Sequence, residues 1–443
     1  AKTFMYWAIS IFVIKLIIIF SISAGNINIF TKPYLVDGAW LGADGENYLS
    51  GFNALLRDGI FSKENILSYW PAGYPLIILL LSVLGKSWAL TTLSIVQSLT
   101  FSFAAYLFAS QLARTRIKKS AYLVFILIIL NPTLSLSSIA VGYESLTASG
   151  FLIAAGLIIK DFIEKDNKKF IKYLVINSVI FGLLTFMQPR LILSGILINL
   201  FWVLIRKGVK VGSLLVIATL AITLFFPASL IYRNHKATGV NVISTNLGVT
   251  MNIGAGDKAT GGYMKKDYGV ACEQSGTAAQ QDSQKVKCVL DWYLSNPSKA
   301  VKLFYNKTLY FFSPWIGPAA NGTMARNPWL NISPIANIAS TPDGNKLVYG
   351  GFGKLISWLW LLGGMALIIY GFLILWRLGS LEKFIALMAM IAVSTNWLVS
   401  LISIGDHRFR IPIMGLSLLL QAIGLKTLLR GGKPAMVDGP ALR

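Results

Sequence analysis

Long apolar runs alternate with short polar joints along this chain, at a spacing that suits repeated membrane crossing. A helix needs ~20 mostly apolar residues to cross the hydrocarbon of a bilayer. Runs of that kind recur at Phe4–Ala24, Trp88–Ala113, Ala121–Ser138, Leu146–Lys160, Lys172–Met187, Leu191–Ile205, Ser213–Tyr232, Leu355–Trp376, Phe384–Leu401 and Ile411–Leu429. They predict an all-α polytopic membrane protein with about ten transmembrane helices. The count becomes twelve if two further apolar stretches also cross. Tyr74–Leu84 is short for a crossing and suits a re-entrant or interfacial helix. Val301–Trp315 is interrupted by Asn306, Lys307 and Thr308 and reads as an amphipathic helix lying at the surface. The chain then divides into an N-terminal membrane core (1–232) whose first loop spans 25–70, a large polar segment (233–354), C-terminal helices (355–430) and a tail (431–443) of disordered composition.

Charge orients this pattern. Lys and Arg number 40 against 18 Asp and Glu, and much of the excess lies in short clusters between apolar runs. With ten spans and a cytoplasmic N-terminus, 114–119, 160–172, 206–210, 377–383 and the tail lysines and arginines all fall on one side, as the positive-inside rule asks. The positive charge is thus read as topology, with membrane lipids and no nucleic acid as its partner. The opposite face receives 25–70, 131–145, Gln188-Pro189-Arg190, 233–354 and 405–410, rich in Asp, Glu, Arg, Asn, Gly and aromatics. Phe4–Ala24, flanked by Lys2, reads as a first span without a signal-peptide cleavage site.

Composition (55% hydrophobic, 13% charged) excludes an ordinary soluble domain. The sequence has no phosphate-loop, dinucleotide or HExxH and CxxC metal signature. Its two histidines, His235 and His407, lie too far apart to suggest a multi-histidine metal site. No metal or other cofactor is demanded, although the acids of the outer loops could bind a divalent ion. Cys272 and Cys288 share one polar segment, with two readings: a disulfide if that segment meets an oxidising compartment, or two unrelated thiols. The triplets beginning at Asn306, Asn321 and Asn331 match glycosylation acceptors, which matter only in a secretory-pathway host.

The candidate chemistry sits at span ends. The first loop carries Asp37, Asp44 and Glu46 followed by Tyr48; a carboxylate at a membrane interface can act as general base toward a hydroxyl. Trp70-Pro71-Ala72-Gly73-Tyr74-Pro75 leads into the short apolar stretch. Glu144 lies where a turn meets a span, Arg190 follows Pro189 at a corner, and Asp406-His407-Arg408-Phe409-Arg410 opens the last span. Singly, each reads as a snorkelling or solvated charge. Jointly, they place acids from early loops and arginines from late ones on a single face. Arginine offers a bidentate fork for phosphate oxygens.

These motifs, in this order over roughly residues 1–430, resemble the GT-C class of membrane glycosyltransferases, in the branch of protein O-mannosyltransferases and lipid A aminoarabinose transferases. Asp44-Gly45-Glu46-Asn47-Tyr48 with Leu55–Gly59 is similar to that branch's first-loop motif, and Trp70–Pro75 to its proline-rich segment. Asn131-Pro132 with Glu144, Gln188-Pro189-Arg190, Arg233 through Asn246, Ala259–Tyr263 and Arg408–Pro412 follow at matching places. One departure is that the usual pair of adjacent acids appears as Asp44-Gly45-Glu46. The resemblance implies inverting transfer of a sugar from a polyprenyl-phosphate donor to a hydroxyl of a lipid, glycan or protein acceptor, on the periplasmic face of a bacterial inner membrane. It implies Asp44 as base, with Glu46 and Asp37 as substitutes. Arg190, Arg408 and Arg410, with Arg233 and His407, would hold the donor phosphate; Glu144, Tyr48 and Tyr74 are further site candidates. Two readings compete: a transporter or flippase of an anionic or lipid-linked substrate, which would favour acids inside spans, and a glycan polymerase or ligase.

Overall fold

The computed structural model describes residues 2–24, 35–263, 269–313, 337–338 and 340–430; the tail 431–443 and the triplets at Asn321 and Asn331 lie outside them. Helices dominate, and among the described residues the sheet content is one two-stranded hairpin. Among the described residues, eight helical runs are long and apolar enough to cross a membrane: Lys2–Ser23, Lys86–Leu112, Glu144–Glu164, Asn167–Met187, Pro189–Thr238, Pro342–Leu378, Ser380–Ile402 and His407–Leu428. The chain is an all-α polytopic membrane protein.

Local chemistry explains where the apolar pattern and the helices part. Pro189–Thr238 contains two predicted crossings and breaks at Gly208 (φ 68°, ψ 179°), a conformation only glycine adopts without strain. The predicted run Ala121–Ser138 is divided: Lys118–Leu130 ends at Asn131, whose side chain accepts from Leu134 N–H (3.0 Å), and Pro132 starts the helix Pro132–Ser137. Gly73–Leu84 is a short apolar helix, below crossing length. The polar segment after residue 233 is itself helical: Leu247–Ile253 packs on Ala278–Ser295, which turns at Asn296 into Pro297–Phe312. Met251, Val289, Tyr293, Ala300 and Leu303 form a small core there.

Contacts define two ends of the bundle. At one, Arg206 pairs with Asp161 (2.8 Å) and Lys207 donates to Asn167 (2.6 Å). Arg116 likewise meets Glu382, its backbone N–H donating at 3.1 Å. At the other lie Glu144, Arg190 and Arg408. Asp161 and Glu144 belong to one helix, Glu144–Glu164, and about 25 Å of helical rise separates them, nearly a hydrocarbon thickness.

Candidate functional site

The site is assembled by a register. Leu35–Val36 and Ala39–Trp40 form a hairpin around Asp37-Gly38, both with positive φ. Trp40 then pairs in parallel with Ala140: its N–H donates to Ile139 O (2.8 Å) and its carbonyl accepts from Val141 N–H (2.7 Å). Four residues beyond each paired position stands an acid, Asp44 and Glu144, each in the first turn of a helix, Gly42–Asp58 and Glu144–Glu164. A helix N-terminus favours negative charge.

Buried side chains hold that register. Tyr74 Oη donates to Gln97 Oε1 (3.0 Å) and accepts from Gly142 N–H (2.8 Å). Gln97 Nε2 donates to the carbonyls of Ala140 (2.9 Å) and Ser138 (3.3 Å). Lys15, buried in the first helix, donates to Ser138 Oγ (2.7 Å) and Ser135 O (2.9 Å), with Phe101 4.2 Å from its ammonium. Gly73 is required for the approach of this piece, because a Cβ there would collide with the carbonyl of Phe186.

Arg408 closes the site. Asp406 caps the 3-10 turn His407–Ile413, its Oδ1 accepting from Arg408 N–H (2.9 Å). The guanidinium enters between the two acids, Nε donating to Glu144 Oε1 (2.7 Å) and Nη1 to Asp44 Oδ2. All three are almost inaccessible to solvent. Arg190 lies alongside, over the Phe409 ring at 3.7 Å, and its Nη2 donates to Tyr143 Oη (3.3 Å). Tyr143 in turn packs edge-on against Tyr48, which packs against Tyr74 and Trp70. Burial holds the Tyr48 phenol well above its usual range. Burial also pushes Asp406 up to about 6. The acids and cations are nearly balanced, and two guanidinium N–H groups, Arg190 Nε and Arg408 Nη2, have no hydrogen-bond partner among the described residues, nor has the ring nitrogen His407 Nε2. A buried unsatisfied donor is costly, and two of them on neighbouring arginines suit an anion.

Several expected site residues stand elsewhere. Glu46 is exposed, because two helical residues turn it about 200° from Asp44. It lines a separate cavity of about 320 Å³ with Asn53, Arg57 and Glu64. Asp37 is an exposed hairpin residue whose carbonyl accepts from Thr91 Oγ1 (2.8 Å). Arg233 staples the first loop, donating to the carbonyls of Ile60 (2.9 Å), Ser62 and Leu67 (3.4 Å). Arg410 turns to the carbonyls of Phe312 (2.8 Å) and Ser313 (3.3 Å). His407 is buried, with Nδ1 3.7 Å from Asp406 Oδ1. Lys307, read as interrupting a surface helix, is fully buried. Cys272 and Cys288 are joined in a disulfide (Cα–Cα 6.0 Å) that ties the strand of chain before Ala278–Ser295 to that helix. Tyr143, Phe409, Gln97 and Lys15 were not singled out from sequence; for Lys15 and Gln97 the signal was a polar side chain inside an apolar run. Among the described residues no set of three or more His, Cys, Asp or Glu is placed to hold a metal ion; Arg408 occupies the space between Asp44 and Glu144.

The chain matches no model of a known protein family, and no curated protein matches it. Two solved structures are similar in shape. One is archaeal oligosaccharyltransferase AglB from Archaeoglobus fulgidus in complex with an inhibitory peptide and a dolichol-phosphate: 15% identity over 99% of this chain and 53% of that one, TM-score 0.46. The other is the Archaeoglobus fulgidus oligosaccharyltransferase in the apo form: 14% identity over 96% of this chain and 51% of that one, TM-score 0.49. The chain spans about half the length of each.

Proposed function

We propose that this chain is an inverting GT-C-type glycosyltransferase, moving a sugar from a polyprenyl-phosphate donor to an acceptor hydroxyl on the non-cytoplasmic face of the membrane. The observation that carries the reading is the buried cluster of Asp44 and Glu144 on Arg408, with Arg190 alongside and one N–H of each arginine without a partner. It lies at the end of the bundle opposite the Asp161–Arg206 pair, the end that the positive-inside rule assigns to the exterior in a ten-span protein. A bacterial inner membrane, with the site toward the periplasm, is the location this reading favours.

The chemistry follows from the groups present. Asp44 takes the proton of the acceptor hydroxyl as its oxygen attacks the anomeric carbon from the face opposite the phosphate. The bond from that carbon to the phosphate oxygen breaks, and the electron pair leaves with the polyprenyl phosphate. Arg408 and Arg190 meet the negative charge developing on that leaving group, in a dry setting where fixed cations count most. Glu144 orients Arg408. No covalent enzyme intermediate is needed for this single displacement. Asp37, Glu46, Arg233 and Arg410 take no chemical role here. A transporter reading gains nothing from the geometry, since both acids sit at helix starts, one end of the bundle, and are locked onto one guanidinium.

The test is mass spectrometry of cellular glycans and lipids with and without the gene. One sugar missing from an acceptor, with its polyprenyl-phosphate donor accumulating, is the expected result. The same sugar missing with its donor lipid confined to the cytoplasmic leaflet, rather than accumulating on the outer one, would instead establish the transporter.

A further inference from the structure

Two buried cations with no part in that chemistry face each other across one joint. Lys307, on helix Pro297–Phe312, donates from Nζ to the carbonyls of Leu401 (2.9 Å) and Ser403 (2.6 Å) and to Tyr293 Oη (2.7 Å). Those carbonyls are the C-terminal ones of helix Ser380–Ile402. Arg410, from the turn that follows, donates to the carbonyls of Phe312 and Ser313, at the C-terminus of Pro297–Phe312. Each helix end, with its unsatisfied carbonyls and partial negative charge, is therefore capped by a cation from the other element. Between them the chain passes so closely that a Cβ at Gly405 would lie 2.5 Å from Lys307 Cα. Gly405 N–H donates to Gly261 O (2.8 Å), adding a third strand of contact. Trp397 Nε1 donates to Thr308 Oγ1 (3.0 Å), so Lys307 and Thr308 both meet Ser380–Ile402, while Asn306 Nδ2 donates within the polar segment itself, to Thr260 O (3.0 Å). The segment held in this way, 403–410, carries Asp406 and Arg408.

We infer that Lys307 and Arg410 are positioning residues: a reciprocal clamp through which the polar segment 247–313 sets where Arg408 stands between Asp44 and Glu144. Its effect on donor binding rests on the function proposed above; the clamp itself does not. A Lys side chain buried only to satisfy its surroundings could be replaced by an apolar one of similar length. A positioning lysine cannot, but arginine, which keeps the donors, restores it in part.

The experiment is hydrogen–deuterium exchange on purified full-length protein, wild type against Lys307→Met, Lys307→Arg and Arg410→Gln, with binding of undecaprenyl phosphate measured on the same samples. The expected result is faster exchange at 403–413 in Lys307→Met and at 309–313 in Arg410→Gln. Lys307→Met is also expected to bind the lipid at least tenfold more weakly, with most of both effects reversed in Lys307→Arg. Unchanged exchange at 403–413 in Lys307→Met overturns the clamp. Faster exchange with wild-type lipid binding overturns its positioning role. If Lys307→Met does not fold, Gly405→Ala, which keeps every charge, makes the same comparison. Wild-type protein that binds no polyprenyl phosphate would sink the donor assignment, and the exchange data would still decide the clamp.

Discussion

A guanidinium buried between two carboxylates holds its place only as part of a set. Removing one partner of a buried ion pair typically costs about 3–5 kcal/mol, so Arg408→Gln is expected to lower thermal stability far more than Arg57→Gln, whose partners Asp58 and Glu64 are exposed. Melting curves in one detergent check this; equal losses would mean the buried set is not as tightly coupled as its geometry indicates. Asp406 makes a pH prediction. Its carboxyl is raised from 3.8 to about 6 by burial, so the folded state holds the proton more tightly than the unfolded chain. Stability from this group is full below about pH 4 and is lost as pH rises through about 6, a span of at most about 3 kcal/mol. Asp406→Asn keeps an acceptor for Arg408 N–H and removes the titration. The wild type should therefore lose stability relative to the variant between pH 4 and 6, then run parallel above 7; a constant difference across that range would contradict it. At this scale the sequence marked a wider set of charges beside apolar runs, where charge is expensive; the structure brings Asp44, Glu144, Arg190 and Arg408 together and places Asp37, Glu46, Arg233 and Arg410 elsewhere. The sequence could not separate Asp44 from Glu46, because that choice depends on the helix starting at Gly42 and on which side then faces inward.

At the scale of elements, the apolar pattern located the long helices better than it located their ends. Asn131-Pro132 contains both a cap and a helix starter, so the division of one predicted run was readable in those two residues. The docking of Pro297–Phe312 was not, since Asn306-Lys307-Thr308 has the composition of a solvated stripe, and Lys307 becomes buried only where the end of Ser380–Ile402 supplies its partners. Gly73 offers a direct test of close packing. An added methyl must push the Phe186 carbonyl away, and overpacking of this kind costs about 1–3 kcal/mol. Gly73→Ala should therefore unfold several degrees below the wild type, while Gly363→Ala, with open space around it, should not. Similar melting temperatures for the two would show that the Trp70–Pro75 piece yields easily. The disulfide is checked by intact mass after alkylation without reductant: freshly purified protein should take up no label at Cys272 and Cys288. Its loop closure is worth about 3 kcal/mol in the chain-entropy model, localised to the 269–288 region. Two labelled thiols would rule it out.

For the whole molecule, the basic joints and the charged site occupy opposite ends of the same helices, the arrangement that charge counting alone anticipates. Single cysteines at exposed positions near each end test the orientation. Glu46 and Asp37, in the first loop, should react with a membrane-impermeant reagent added outside cells, and Lys168 should not, in a background lacking Cys272 and Cys288. Labelling of Lys168 from outside would invert the molecule. What no pattern in the chain revealed was the parallel pairing of Trp40 with Ala140, a single bridge of two hydrogen bonds that brings Asp44 and Glu144 to the same arginine. The central claim is that Asp44 is the base in sugar transfer from a polyprenyl-phosphate donor. It is tested most directly by turnover of synthetic polyprenyl-phosphate sugars by purified wild-type and Asp44→Asn protein, with donor affinity measured on both. General-base catalysis contributes about 10²–10⁴-fold, so the variant should retain donor binding within a few fold and lose at least a hundredfold in turnover. Asp44→Asn protein that transfers sugar at the wild-type rate would contradict it.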